Sequence, residues 1–114
     1  MVITIRDHGL LLYIIKHCNR IEEKLETIEE KDFYENEDVQ EIICFNLFQI
    51  GELVVHLSDD FINEYNQIPW VSIRGMRNRI GHGYGSIKLE DVWNAASKDI
   101  KPLKDYCKSI LNSK

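Results

Sequence analysis

Apolar residues recur at three- and four-residue steps along most of this 114-residue chain, the spacing of amphipathic helices that bury one face. Leu10, Tyr13, Ile14, His17, Ile21, Leu25 and Ile28 form the first such stripe, with Asp7 placed to cap it. Val39, Ile42, Ile43, Leu47, Ile50, Leu53, Val54 and Leu57 form a second, a helix of about twenty residues by the same periodicity. Asn36 is its expected cap, and Glu37 and Asp38 suit the positive end of its dipole. Asp59 to Tyr65 reads as a further helical turn. Pro69 then suits the first turn of a helix carrying Trp70, Ile73, Arg74 and Arg77. That helix should stop near Ile80 or Gly81, because Gly81, Gly83 and Gly85 alternate around His82 and Tyr84, too dense a run of glycine for a helix interior.

Helical spacing resumes at Leu89 and runs through Val92, Trp93, Ala96, Ile100, Leu103, Tyr106 and Ile110. Pro102 lacks a backbone donor, so a kink or break is expected there. No alternating strand pattern, repeat or low-complexity linker interrupts the series. The expectation is one domain over residues 1–114, an all-α antiparallel bundle of four or five helices. Gly51, inside the second helix, is read as permitting close approach of another helix. Glu52 beside it is either structural or a partner for Arg74 or Arg77. Trp70 and Trp93 are read as core or interface anchors.

The composition, 44% hydrophobic and 29% charged, is that of a folded globular chain. The longest uncharged apolar runs, such as Leu10 to Ile15, fall far short of the roughly 20 residues of a membrane span. No basic segment with an apolar stretch and cleavage site opens the sequence, so the expected compartment is the cytoplasm. Cys18, Cys44 and Cys107 are odd in number and set in apolar helical patterns, as buried free thiols are. The four histidines, His8, His17, His56 and His82, fall into no metal-ligand spacing, so neither metal nor cofactor is expected.

Charge changes this picture locally. The net charge is −5, yet no acidic residue lies between Tyr65 and Leu89. That window holds Arg74, Arg77, Arg79 and Lys88, so the remainder of the chain carries −9. Arginine is the side chain best shaped to grip phosphate oxygens through paired donors. Two readings stand: these residues contact a phosphate backbone, or they pair with Glu22, Glu23, Glu26 or other acids of the first helices. The acidic stretch from Glu22 to Glu41 reads as a solvated face and loop, with a partner-docking surface as its alternative.

Within the basic window stands Arg77-x4-His82-x-Tyr84. This resembles the active-site motif of HEPN-fold ribonucleases, and of the HepT-like toxins in particular. Pro69-Trp70, the run from Arg74 to Asn78, and Ile50-Gly51-Glu52 look like the same family, so the resemblance spans nearly the whole chain. Gly81 departs from it where a residue such as alanine is expected, and Gly85 where an aromatic is common. Both departures loosen the turn and leave the three motif positions intact.

The resemblance implies a HEPN-like fold and a metal-independent endoribonuclease toxin of a toxin–antitoxin pair. Cleavage of RNA without a metal needs a base, an acid and positive charge against the crowded phosphorane. His82 suits proton transfer and Arg77 the fixed charge, with Asn78 placed to hold that arginine or the scissile phosphate. Five residues at about 100° each put Arg77 and His82 roughly 140° apart on a continuing helix. A turn at Gly81 or a two-fold partner must therefore bring them together. The family implies a homodimer in which two copies of the motif share one cleft.

Tyr84 has three readings: an RNA contact, a cap on the core, or a residue that a partner modifies. The resemblance implies the last, since HepT-like toxins pair with a minimal nucleotidyltransferase antitoxin that attaches AMP to the motif tyrosine. The alternative to an enzyme is a non-catalytic module using the same basic cleft to bind a nucleotide or a partner. Pure phosphate binding requires neither His82 nor Tyr84, which favours the ribonuclease.

Overall fold

The computed structural model describes residues 3–82 and 87–113. Its elements are α1 (Ile5–Leu25), α2 (Glu30–Phe33), α3 (Glu37–Val55), α4 (Asp59–Glu64), α5 (Trp70–Gly81), α6 (Leu89–Asn94), a π-helical turn (Ala95–Asp99) and α7 (Ile100–Asn112). Among the described residues there is no strand. The fold is all-α, as expected. Four long helical units make the bundle, because α6, the π turn and α7 run on as one rod, and α2 and α4 are short connectors.

Helix α3 is central, packed against α1 on one side and α5 on the other, while α7 lies against α1. The neighbours run antiparallel. Asp7 meets Ser58 at one end of the α1–α3 pair and His17 meets Asn46 further along. Glu22, near the end of α1, pairs with Lys104, near the start of α7, as in helices that run in opposite directions. The core is Leu11, Ile14, Cys18 and Ile21 of α1, Ile43, Leu47, Ile50 and Val54 of α3, and Val92, Ile100, Leu103 and Cys107 of the C-terminal rod.

The first helix corrects two expectations. Its cap is Thr4, whose hydroxyl accepts from the Asp7 amide at 3.0 Å. Asp7 is instead fully buried in the first turn, where its carboxylate accepts from the Ser58 amide at 3.1 Å and the Ser58 hydroxyl at 2.7 Å. Ser58 also caps α4 by accepting from the Phe61 amide, so one carboxylate ties the start of α1 to the start of α4. With Asp7 inward, the buried stripe is Asp7, Leu11, Ile14, Cys18 and Ile21, and Tyr13 stands 56% exposed.

Asn36 caps α3 as expected, accepting from the Val39 amide at 3.1 Å. The acidic stretch is mostly exposed, but it contains α2, whose Phe33 is fully buried against Trp93 with ring centroids 5.2 Å apart. Trp70 is also a core residue; its indole N–H donates to the Tyr65 carbonyl at 2.7 Å.

The irregularity expected at Pro102 falls instead at Ala95–Asp99. Pro102 is the third residue of α7, where the lost donor and the ring's demand for space fall on the preceding turn. That turn is the π segment, whose wider winding replaces a break, and the rod continues to Asn112. No helix among the described residues is long and apolar enough to cross a membrane.

All three cysteines are free and buried. Burial pushes the Cys18 and Cys107 thiols up from 9.0 to about 12, and Cys44 up to about 11. An acid with a raised folded-state pKa favours folding while protonated, so this contribution is complete below about pH 9 and is lost as the pH climbs toward 12. Denaturant midpoints are expected to fall steadily above pH 9, and iodoacetamide at pH 8 is expected to label the three thiols only after unfolding. Rapid labelling of the native chain would contradict this packing.

Candidate active site

Pro69 opens α5 and the helix presents Arg74, Arg77, Asn78 and Arg79 along its length. The position of Arg77 is set by α3. A Cβ built on Gly51 would stand 2.2 Å from Arg77 Cβ and 3.0 Å from its Cγ. Only glycine at residue 51 lets α5 lie this close. One turn along the same contact, a Cβ on Gly81 would meet the Phe48 ring at 3.3 Å, so the crossing is tight at Gly81 as well. The expectation for Gly51 is thereby met, and the side chain that fills the space is Arg77.

Glu52, next to Gly51, forms an ion pair with Arg77 through Nε. Arg77 Nη1 donates to Asn78 Oδ1 at 2.7 Å. The guanidinium is thus held at Nε by a carboxylate oxygen and at Nη1 by an amide oxygen. Nη2 has no partner among the described residues. The pair is neither buried nor fully solvated, with about a third of each side chain exposed (33% for Arg77, 35% for Glu52). Its orientation is fixed while a face of the cation stays open to a ligand.

The other candidates are less gathered. Arg74 is exposed three residues before Arg77, about 60° away around the helix. Arg79 lies about 200° from Arg77 on the same count, with Nη2 at 3.7 Å from Met76 Sδ. It borders a groove of about 360 Å³ between α3, α5 and the start of α7, lined also by Leu47, Ile73, Met76, Ile100 and Leu103. Lys88 is exposed just before α6. Tyr84 lies outside the described residues.

His82 is exposed and ends α5 in helical geometry, φ −79° and ψ −2°, its amide donating to the Asn78 carbonyl at 3.1 Å. No sharp turn at Gly81 redirects it. Within one chain Arg77 and His82 therefore leave the helix on different sides. Among the described residues, no group of three His, Cys, Asp or Glu side chains comes together as a metal site.

A family model described as Ribonuclease HepT-like matches residues 14–110. The chain belongs to the HepT-like ribonuclease family. Glu52, Arg77 and His82 all fall inside the matched span. Among its relatives, a protein of Caldanaerobacter subterraneus subsp. tengcongensis named "Putative RNase" is 29% identical over 89% of this chain and 90% of its own length. A Methanocaldococcus jannaschii protein of the same name is 34% identical over 69% of each chain. "Probable ribonuclease HepT" of Thermococcus cleftensis is 30% identical over 74% of this chain and 83% of its own. No solved structure matches the chain.

For this HepT-like chain the α3–α5 contact leads to a direct expectation. Gly51→Ala puts a methyl group into the Arg77 stem, and overpacking of this kind costs about 1–3 kcal/mol. Urea unfolding should show a lower midpoint of that size, and the Arg77 side chain should be displaced from Glu52. A midpoint equal to that of the parent would mean that the helices are not this close.

Proposed function

We propose that this chain is a metal-independent endoribonuclease toxin whose active site is completed by a second copy. The observation that carries the reading is the divergence of Arg77 and His82 on a helix that runs through Gly81 without turning. A two-fold axis beside α5 supplies each arginine with the other chain's histidine, and one patch meeting itself suffices.

A surface for that partner adjoins the site. Ile42, Phe45, Gln49 and Glu52 are spaced three, four and three residues apart and so share one face of α3. Ile42 is 39% and Phe45 54% exposed at one end of this stripe, and Glu52 with Arg77 is at the other. Tyr13, one turn from the α1–α3 seam at His17, adds a further exposed aromatic.

In the shared cleft one His82 takes the proton of the 2′-hydroxyl as its oxygen attacks phosphorus. The other gives a proton to the 5′-oxygen as the P–O5′ bond breaks, leaving a 2′,3′-cyclic phosphate and a free 5′-hydroxyl. The two Arg77 guanidinium groups stabilise the charge of the phosphorane. Asn78 holds Arg77 through the observed hydrogen bond. Arg74 takes flanking phosphates; Arg79 and Lys88 extend the positive field along the RNA.

Control is assigned to Tyr84 on the family resemblance. A minimal nucleotidyltransferase antitoxin would join the phenol oxygen to the α-phosphorus of ATP with loss of pyrophosphate. The bound AMP would then fill the cationic cleft and repel the substrate.

Labelled RNA incubated with excess EDTA should be cleaved by the parent chain. Arg77→Ala and His82→Ala should each lose at least about 100-fold, the scale of a lost oxyanion donor or general acid–base. A mixed dimer of the two variants keeps one arginine and one histidine in the cleft and should stay well below the parent, because the reaction uses a histidine from each chain. Undiminished cleavage by both variants would remove these residues from the site; an inactive parent would leave a nucleotide- or partner-binding module.

Light scattering is expected to find twice the 13.4 kDa chain mass. Phe45→Glu should give monomers that remain helical by circular dichroism and no longer cleave RNA. An active monomer would rule out the shared cleft.

A further inference from the structure

Glu52 stands out because it brings negative charge to the one strongly basic stretch of the chain. A carboxylate against Arg77 weakens the attraction of that arginine for phosphate. As an ion pair a third exposed, it also contributes little to holding the fold together. Its value lies in geometry. An unrestrained arginine samples many rotamers, and each must be given up when phosphate binds. Here Nε is taken by Glu52 and Nη1 by Asn78, while the backbone of α3 is brought against the arginine stem by Gly51. Three contacts from two helices fix both the stem and the plane of the guanidinium and leave Nη2 open among the described residues.

We infer that Glu52 is a positioning residue, which orients Arg77 so that its Nη2 edge is set toward the scissile phosphate before RNA arrives. The inference rests on the ribonuclease reading of the site. Glu52 acts through Arg77 and moves no proton in the reaction. Its cost in charge falls on binding, and its benefit on the step in which charge develops at phosphorus.

The test compares Glu52→Ala with Glu52→Gln. Glutamine keeps an oxygen to accept the Arg77 Nε–H and removes the charge; alanine removes both. Glu52→Ala is expected to lower kcat by about 10- to 100-fold, the range for loss of orientation at a reacting centre, with KM unchanged or reduced. Glu52→Gln should recover most of kcat, and both variants should keep the parent's thermal midpoint and pH–rate profile. A Glu52→Gln variant as slow as Glu52→Ala, with the acidic limb of the profile gone, would make Glu52 a general base and overturn the inference. So would an unchanged kcat in Glu52→Ala.

A second readout needs no turnover. In 15N-labelled protein the Arg77 Nε–H resonance should be protected from solvent exchange, stay protected in Glu52→Gln, and lose protection in Glu52→Ala. An RNA oligonucleotide with 2′-deoxy substitution at the cleavage position, which binds without being cut, should shift that resonance. If the parent fails to cleave RNA, the ribonuclease reading fails by itself, and equal protection in parent and Glu52→Ala is what would refute the positioning role.

Discussion

Where α3 meets α5, the bare Cα of Gly51 lies against the stem of Arg77, with no room between them for even a methyl group. That contact fixes the distance between the two helices and brings Glu52 onto the arginine. It also seats Gly81 over Phe48 at the end of α5, from which His82 projects into solvent. The candidate site is thus a consequence of helix packing. Its arginine is held by the same crossing that builds one flank of the bundle, on helices rather than on a loop, where geometry is better kept.

The electrostatics follow from this arrangement. Net charge spread over an acidic chain would repel a polyanion, but the stretch from Arg74 to Lys88 holds four basic residues and no acidic one. Glu22, one of the acids that sequence alone offered as a partner for these arginines, pairs with Lys104 on the opposite side of the bundle. Of the acidic side chains, Glu52 reaches Arg77 through Nε, and Nη2 has no partner among the described residues. A cation that is oriented without being covered is what phosphate recognition calls for.

The remaining structure keeps α3 in place. Asp7 ties α1 to α4 through Ser58, and the His17–Asn46 hydrogen bond of 2.8 Å fixes α1 along α3. Phe33 and Trp93 close the connection between α1 and α3 over the C-terminal rod. The π turn before Pro102 lets that rod run on along α1 while Ala95, Ile100 and Leu103 line the groove facing α5. Helix α5 itself packs chiefly on α3.

Periodicity by itself determined the helical class, the extent of α3 with its Asn36 cap, and the end of α5 at the glycines, because these depend on local spacing and backbone freedom. Arg77 and His82 were marked by the resemblance of their spacing to the HepT-like motif, within a stretch rich in arginine. Other features needed the tertiary structure. Thr4 and Asp7 are both good caps, and only the location of Ser58, fifty-one residues after Asp7, draws the aspartate inward and shifts the α1 stripe away from Tyr13. Pro102 was a break in sequence terms, until the turn before it showed where the strain is taken up. Glu52 had two possible arginine partners, Arg74 and Arg77, on the same helix. The choice of Arg77 was decided by how closely α3 and α5 approach at Gly51, a distance between elements far apart in the chain that local spacing does not contain.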